Sequence, residues 1–329
     1  MLPCFHDFFW IFIDLLQLTS KDFIEYKIKN DDNGEGFDKT DVWQDTSEQL
    51  LQALKNANLR VADKPLKYRD SLKDDCLWNV EPDSSCGWEV TSRILLGEDG
   101  FTEIAKACQL LNERTQPLKL IIDDPRTSTH VHLGWQNFDV KKLLCVMNFA
   151  AYYEPALMSI VAPSRYDNDY CKSIHEIMGQ LLKLRTLDQW AKFYGKDEYE
   201  KRYYLVNLLN LFHDRLGTVE IRLHNGTLEE LKILAWISLW MRILNAVDRG
   251  VQPPSLEQRD RVSLPLTTGP EGDIMGLAKY INARAEMVSY FKQRREYVIT
   301  HSYANYEEYD KLVSNVSKVW DIKLPINQG

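Results

Sequence analysis

Three short segments place charged and imidazole side chains at two-residue spacing. They are Trp88-Glu89-Val90-Thr91-Ser92, Thr129-His130-Val131-His132-Leu133-Gly134 and Thr218-Val219-Glu220-Ile221-Arg222-Leu223-His224-Asn225-Gly226-Thr227. Each alternates apolar and polar residues, the pattern of a half-buried strand, in which successive same-side residues stand about 7 Å apart. On the last segment Glu220, Arg222 and His224 share a side opposite Val219, Ile221 and Leu223. An i, i+2 histidine pair such as His130 and His132 suits a metal ion, or places one imidazole on a phosphate oxygen. Glu89 and Glu220 add carboxylates. Carboxylate and imidazole together suit a hard divalent ion such as Mg2+ or Mn2+. Arg222 beside them suits a phosphate, because a planar guanidinium bonds oxyanions through two donors. Taken singly, each segment also fits a solvated strand face. A metal-dependent hydrolase built on His130 and His132 is a further option, but zinc sites take a third clean ligand, and none stands nearby.

Bulk composition narrows the classes. The chain has 329 residues, 44% of them hydrophobic, enough for one large domain or two ordinary ones. Its formal net charge is −8 and it has no polybasic tract, so nucleic acid is not an expected partner. The six cysteines are widely spaced and form no CxxC pair. A reducing compartment, and hence a cytoplasmic location, is the default reading, with Cys108 and Cys145 as buried thiols. No P-loop, HExxH, GxSxG or Rossmann glycine fingerprint is present.

The elements that must position these residues follow from periodicity. The apolar run over residues 3–18 is too short for a confident membrane span and carries Asp7 and Asp14. It predicts an amphipathic helix within residues 1–20, suited to docking on the body, on a partner or on a second copy. Asp22–Ile28 reads as a strand and residues 29–46 as a loop. A helix is expected from Thr46 to about Asn58, a strand pair over Cys76–Pro82 and Gly87–Leu96, and a helix over Phe101–Asn112. Strands then follow at Leu118–Ile122 and Thr129–Trp135. Asp139 caps a long apolar helix over Val140–Ile160. Further helices are expected at Tyr170–Leu184, Leu187–Tyr194, Tyr203–Arg215, Leu228–Asp248, Asp273–Thr300 and Tyr306–Val319, with a Pro- and Gly-rich excursion over 249–272. Strands cluster early and one returns late, which reads as α+β with a mainly antiparallel sheet.

The order WEVTSRIL at 88–95, THVHLGW at 129–135, PSR at 163–165, RYYLVNL at 202–208 and TVEIRLHNGTLEELKILAWISLWMRIL at 218–244 resembles the amidoligase family. These are glutamine-synthetase-like carboxylate–amine ligases, related to glutamate–cysteine ligase. The resemblance implies a curved antiparallel sheet forming an active-site trough, backed by helices, in a domain over residues 21–248; residues 249–329, which it does not reach, read from composition and periodicity as an irregular loop plus C-terminal helices packed on the same domain. It implies ATP- and Mg2+-dependent (or Mn2+-dependent) amide or peptide bond formation through an acyl phosphate, with small-molecule or peptide acids and amines as substrates. By position, Glu89, His132 and Glu220 match metal ligands; His130, His132 and Arg222 match nucleotide-phosphate contacts; and Arg222, Arg202 and Arg165 match residues facing the acyl phosphate or the acid. Asn207 falls in the matching helix. The family opens on a strand reading GxExE. Its best counterpart here is Asp22–Ile28, which offers Glu25 to the metal but has Lys27 where the second glutamate belongs, and Ser92-Arg93 replaces a common Ser-Pro. The alternative is a decayed ligase fold acting as a binding or scaffold protein.

Overall fold

The computed structural model describes residues 8–17, 40–66, 76–83, 87–118, 120–122, 124–166, 168–195, 199–213, 217–254 and 273–301. Within it the chain divides into two compact units. One takes Asp7–Val131 and Asn225–Leu234; the other takes Met1–His6, His132–His224 and Ala235–Gly329. The fold mixes helices with small antiparallel sheets, the α+β class. Among the described residues no helix is long and apolar enough to cross a membrane.

In the first unit the apolar run forms a strand, β1 (Phe8–Gln17), where a docking helix is expected. Its sequence FFWIFIDLLQ is rich in aromatic and β-branched residues, and periodicity alone does not separate a buried strand from a buried helix in so short a run. Pairing decides it. β1 runs antiparallel to β3 (Gly87–Thr91), β4 (Leu95–Leu96) and β5 (Leu120–Ile121). The segment is thus used up in ladders and does not serve as a free partner-binding helix. β3 also pairs antiparallel with β2 (Asn79–Asp83), which tolerates Pro82 opposite Trp88. The register sets Asp14 opposite Glu89 on one flank and Glu81 opposite Glu89 on the other.

Two helices belong to this unit. α1 (Thr40–Asn56) begins six residues before the expected Thr46 start and buries Leu50, Leu51 and Leu54. α2 (Gly97–Thr115) buries Ile104, Ala107, Cys108 and Leu111, the spacing expected of it. Arg93 holds Glu103 of α2 through Nε at 3.1 Å and again through Nη2, and Trp78 Nε1 donates to the same carboxylate at 3.1 Å. Burial raises the Glu103 pKa, but the hydrogen bonds from Arg93 and Trp78 and the charges of Arg93 and Arg60 outweigh it, so the net shift is downward.

β6 (Ser128–Gly134) crosses the boundary between the units, which falls between Val131 and His132. In the second unit β7 (Val206–Asn207) pairs antiparallel with β8 (Thr218–Asn225), with Val206 opposite Ile221 and Asn207 opposite Glu220. Every residue of β8 is buried, so both faces are covered where a half-buried strand is expected. α3 (Val140–Met158) starts as expected, the Asp139 side chain accepting from Lys142 N at 2.8 Å. α4 (His175–Leu181) is shorter than the helix expected there, and α5 (Leu187–Phe193) opens on a Thr186/Gln189 capping box.

The expected helix over Tyr203–Arg215 is replaced by a 3-10 turn ending at Tyr203, then β7, then α6 (Leu209–His213). Two residues of ladder are too short to leave a period in the sequence. α7 (Glu230–Asp248) matches expectation. The long helix expected over Asp273–Thr300 breaks into α8 (Asp273–Tyr280) and α9 (Ala285–His301). Asn282 adopts φ 51° between them, a left-handed conformation that asparagine tolerates better than most residues. Cys108, Cys145 and Cys171 are free, buried thiols, and burial pushes Cys108 up to about 12 and Cys145 up to about 11. The expected strand at Asp22–Ile28, the helix at Tyr306–Val319 and most of the 249–272 excursion lie outside the described residues.

Two stability predictions follow from the first unit. A Cβ on Gly226 would sit 2.5 Å from the Ile122 carbonyl oxygen, and Gly226 N already donates to Thr127 O. Gly226→Ala is expected to cost about 1–3 kcal/mol in urea unfolding. A depressed carboxylate stabilises the fold above its ordinary pKa, and that contribution is lost as pH falls through the folded value. Glu103→Gln is therefore expected to lower stability by about 1 kcal/mol at neutral pH. Melting curves should converge with those of the unsubstituted protein below the ordinary glutamate range.

Candidate active site

The second unit gathers a cluster of polar side chains on and around β8. Glu220, Arg222 and His132 are 6%, 7% and 6% exposed. Arg222 Nη1 donates to Glu220 Oε1, and Asn207, opposite Glu220 in the β7–β8 register, donates Nδ2 to Oε2 at 2.6 Å. His132 Nε2 lies 3.8 Å from Glu220 Oε1. Its Nδ1 lies 3.2 Å from Thr218 Oγ1 and 3.3 Å from Asn210 Nδ2. A carboxylate removed from water is expensive unless its lone pairs are met, and here both oxygens receive donors.

The local chain explains why Arg222 is held so firmly. The loop before α4 is laced onto the segment leading to β7: Lys172 N donates to Tyr203 O at 2.7 Å and Leu205 N to Lys172 O at 2.9 Å. Arg222 N donates to Leu205 O at 2.9 Å, and its side-chain Nε reaches Tyr170 O at 3.1 Å. Above it lies the Tyr203 ring, 5.6 Å from the Arg222 guanidinium carbon and 5.0 Å from that of Arg202. Tyr170, 44% exposed, meets the Tyr203 ring edge-on at 5.5 Å. Two guanidinium groups thus stand near one aromatic ring, a favourable placement for each cation.

Arg165 is placed differently from Arg202 and Arg222. It ends a 3-10 turn (Pro163–Arg165) and is 1% exposed. Its Nε donates to Leu223 O at 3.1 Å and its Nη2 to Arg222 O at 2.9 Å. Its guanidinium therefore braces the β8 backbone. Beside it, Cys171 Sγ approaches Arg165 O at 3.5 Å, and burial holds that thiol above its ordinary pKa even though Arg165 and Arg222 pull it down.

The remaining expected residues fall in the first unit or outside the described residues. His130 belongs to the first unit, where its Nε2 hydrogen-bonds Ser128 Oγ. Glu89 is also in the first unit, where Thr91 Oγ1 reaches it at 3.5 Å. Glu25 lies outside the described residues. Among the described residues no group of three His, Cys, Asp or Glu side chains is placed to share a metal ion. Among the described residues of the second unit His132 and Glu220 stand together, and Glu220 already serves Arg222 and Asn207. Sequence reasoning passed over the β1–β3 register that sets residue 14 opposite Glu89. It also passed over Asn207 as a partner of Glu220, because the helix expected there hides a cross-strand pairing.

Comparison with protein families settles the lineage. A family model described as "putative amidoligase enzyme" matches residues 20–244. The chain belongs to the amidoligase family. The match covers all three chemistry-bearing segments and supports a ligase-type function for this amidoligase. No curated protein matches the chain.

The brace formed by Arg165 generates a prediction. Arg165→Met would leave the Leu223 and Arg222 carbonyls without their buried donors. An expected loss of about 2–4 kcal/mol follows, read as a lower urea midpoint with an unchanged slope.

Proposed function

We propose that this amidoligase is an ATP- and Mg2+-dependent carboxylate–amine ligase that forms an amide or peptide bond through an acyl phosphate. The observation that carries the reading is the Arg222 guanidinium. It is fixed by Glu220 and Tyr170 O and shares the Tyr203 ring with Arg202. In such a reaction an acid's carboxylate oxygen attacks the γ-phosphorus and ADP leaves. The amine then attacks the acyl carbon and phosphate leaves. Phosphoryl transfer asks the protein mainly to position groups and to neutralise charge that develops on oxygen. Arg222 is held in advance for that task, so little reorganisation accompanies the step. Arg202 supplies the second positive charge.

Mg2+, when bound, would offset phosphate charge and orient the nucleotide. Carboxylates suit it. The candidate in the second unit is Glu220, which Arg222 and Asn207 already hold. A sheet curved into a trough around the reactants is part of this proposal, as is exclusion of water, without which an acyl phosphate hydrolyses.

The test is ADP release that requires both an acid and an amine, surveyed across pools of amino acids and peptides with Mg2+ present. Arg222→Ala is expected to lower that release by about 100-fold or more. Arg222→Lys should recover little of it, since lysine keeps the charge and loses the planar fork. No acid- and amine-dependent turnover by the folded protein would sink the ligase reading and leave a binding protein on a ligase fold.

A further inference from the structure

Asn210 lies on α6, which an Asx turn starts: Asn207 Oδ1 accepts from Leu209 N at 2.8 Å. This sets Asn210 Nδ2 3.3 Å from His132 Nδ1. An amide nitrogen donates and does not accept. A ring nitrogen that receives a hydrogen bond carries no proton, so the neutral imidazole bears its proton on the other nitrogen. Thr218 Oγ1, 3.2 Å from the same Nδ1, can donate or accept and so follows the choice that Asn210 makes. Nε2, the nitrogen left with the proton, stands 3.8 Å from Glu220 Oε1 and so faces the carboxylate that Arg222 also holds.

We propose that Asn210 is a positioning residue that fixes His132 as its Nε2–H tautomer. In that form the ring presents an N–H to an oxyanion, a phosphate or carboxylate oxygen, and offers no lone pair to a metal ion. Nδ1 is closed to a metal as well, because Asn210 and Thr218 converge on it. Of the two roles that the sequence leaves open for His132, the arrangement selects anion binding. The use made of the tautomer rests on the ligase reading; the tautomer itself does not.

The experiment is long-range proton–nitrogen correlation NMR on protein labelled with 15N-histidine, without ligands, at a pH about two units above the ordinary imidazole value. A His132→Gln variant assigns the signal. The expected result is an Nε2–H ring in the unsubstituted protein. In Asn210→Asp the proton moves to Nδ1, because a carboxylate only accepts. In Thr218→Val it stays on Nε2. An Nδ1–H ring in the unsubstituted protein would mean that Asn210 presents its oxygen, and overturns the proposal. So does an unmoved proton in folded Asn210→Asp; if that variant does not fold, the spectrum of the unsubstituted protein decides alone. Where turnover is found, Asn210→Asp should slow it by about 10- to 100-fold, the scale seen when a histidine's orienting partner is lost. An Nε2–H ring in a protein that releases no ADP would overturn the ligase reading and leave the tautomer assignment standing.

Discussion

An ion pair two residues apart on one buried strand, Glu220 with Arg222, is the constraint that the second unit is arranged around. Removing both charges from water costs several kcal/mol each, and their mutual attraction offsets this only when every remaining lone pair and proton finds a partner. The surroundings supply several of those partners. Asn207 takes the second carboxylate oxygen and Tyr170 O takes Arg222 Nε. The guanidinium carbon stands over the Tyr203 ring. The short ladder of β7, the loop at Tyr170–Lys172 and the 3-10 turn ending at Tyr203 are all held where this pair needs them.

Three arginines that look alike in the sequence separate once their contacts are known. Arg165 donates to two main-chain carbonyls of β8 and is closed to solvent, so it braces that strand. Arg222 has one hand on a carboxylate and one on a carbonyl, and Arg202 meets an aromatic face. A guanidinium has five donors in a fixed fork, and what those donors already hold determines what it can offer a ligand.

Much of this was legible in the sequence, and the failures have physical causes. The α+β class, the capped start of α3, the buried spacing of α2 and the pairing of β2 with β3 follow from period and cap chemistry, which are local. His132, Glu220 and Arg222 could be singled out because alternation on a strand is also local, and the structure does bring these three together. β1 was missed because a ten-residue stretch with eight apolar side chains satisfies a helix and a strand equally until other strands pair with it. Asn207 and Asn210 were missed because their roles exist only through register and through a five-residue helix. The break at Asn282 was missed because an asparagine inside a helical pattern signals a left-handed turn only weakly.

The covering of β8 on both faces bears on how this amidoligase can change over time. Val219, Ile221 and Leu223 alternate with Glu220, Arg222 and His224, and all six are buried. Inserting or deleting one residue in the strand would exchange the two sets, sending two charges into an apolar layer and three aliphatic chains among buried polar groups. No surface-exposed side exists to absorb the shift. The segment can therefore drift by substitution but not by length. Variation in chain length among relatives that keep this site is expected to fall outside it, in the connections on either side.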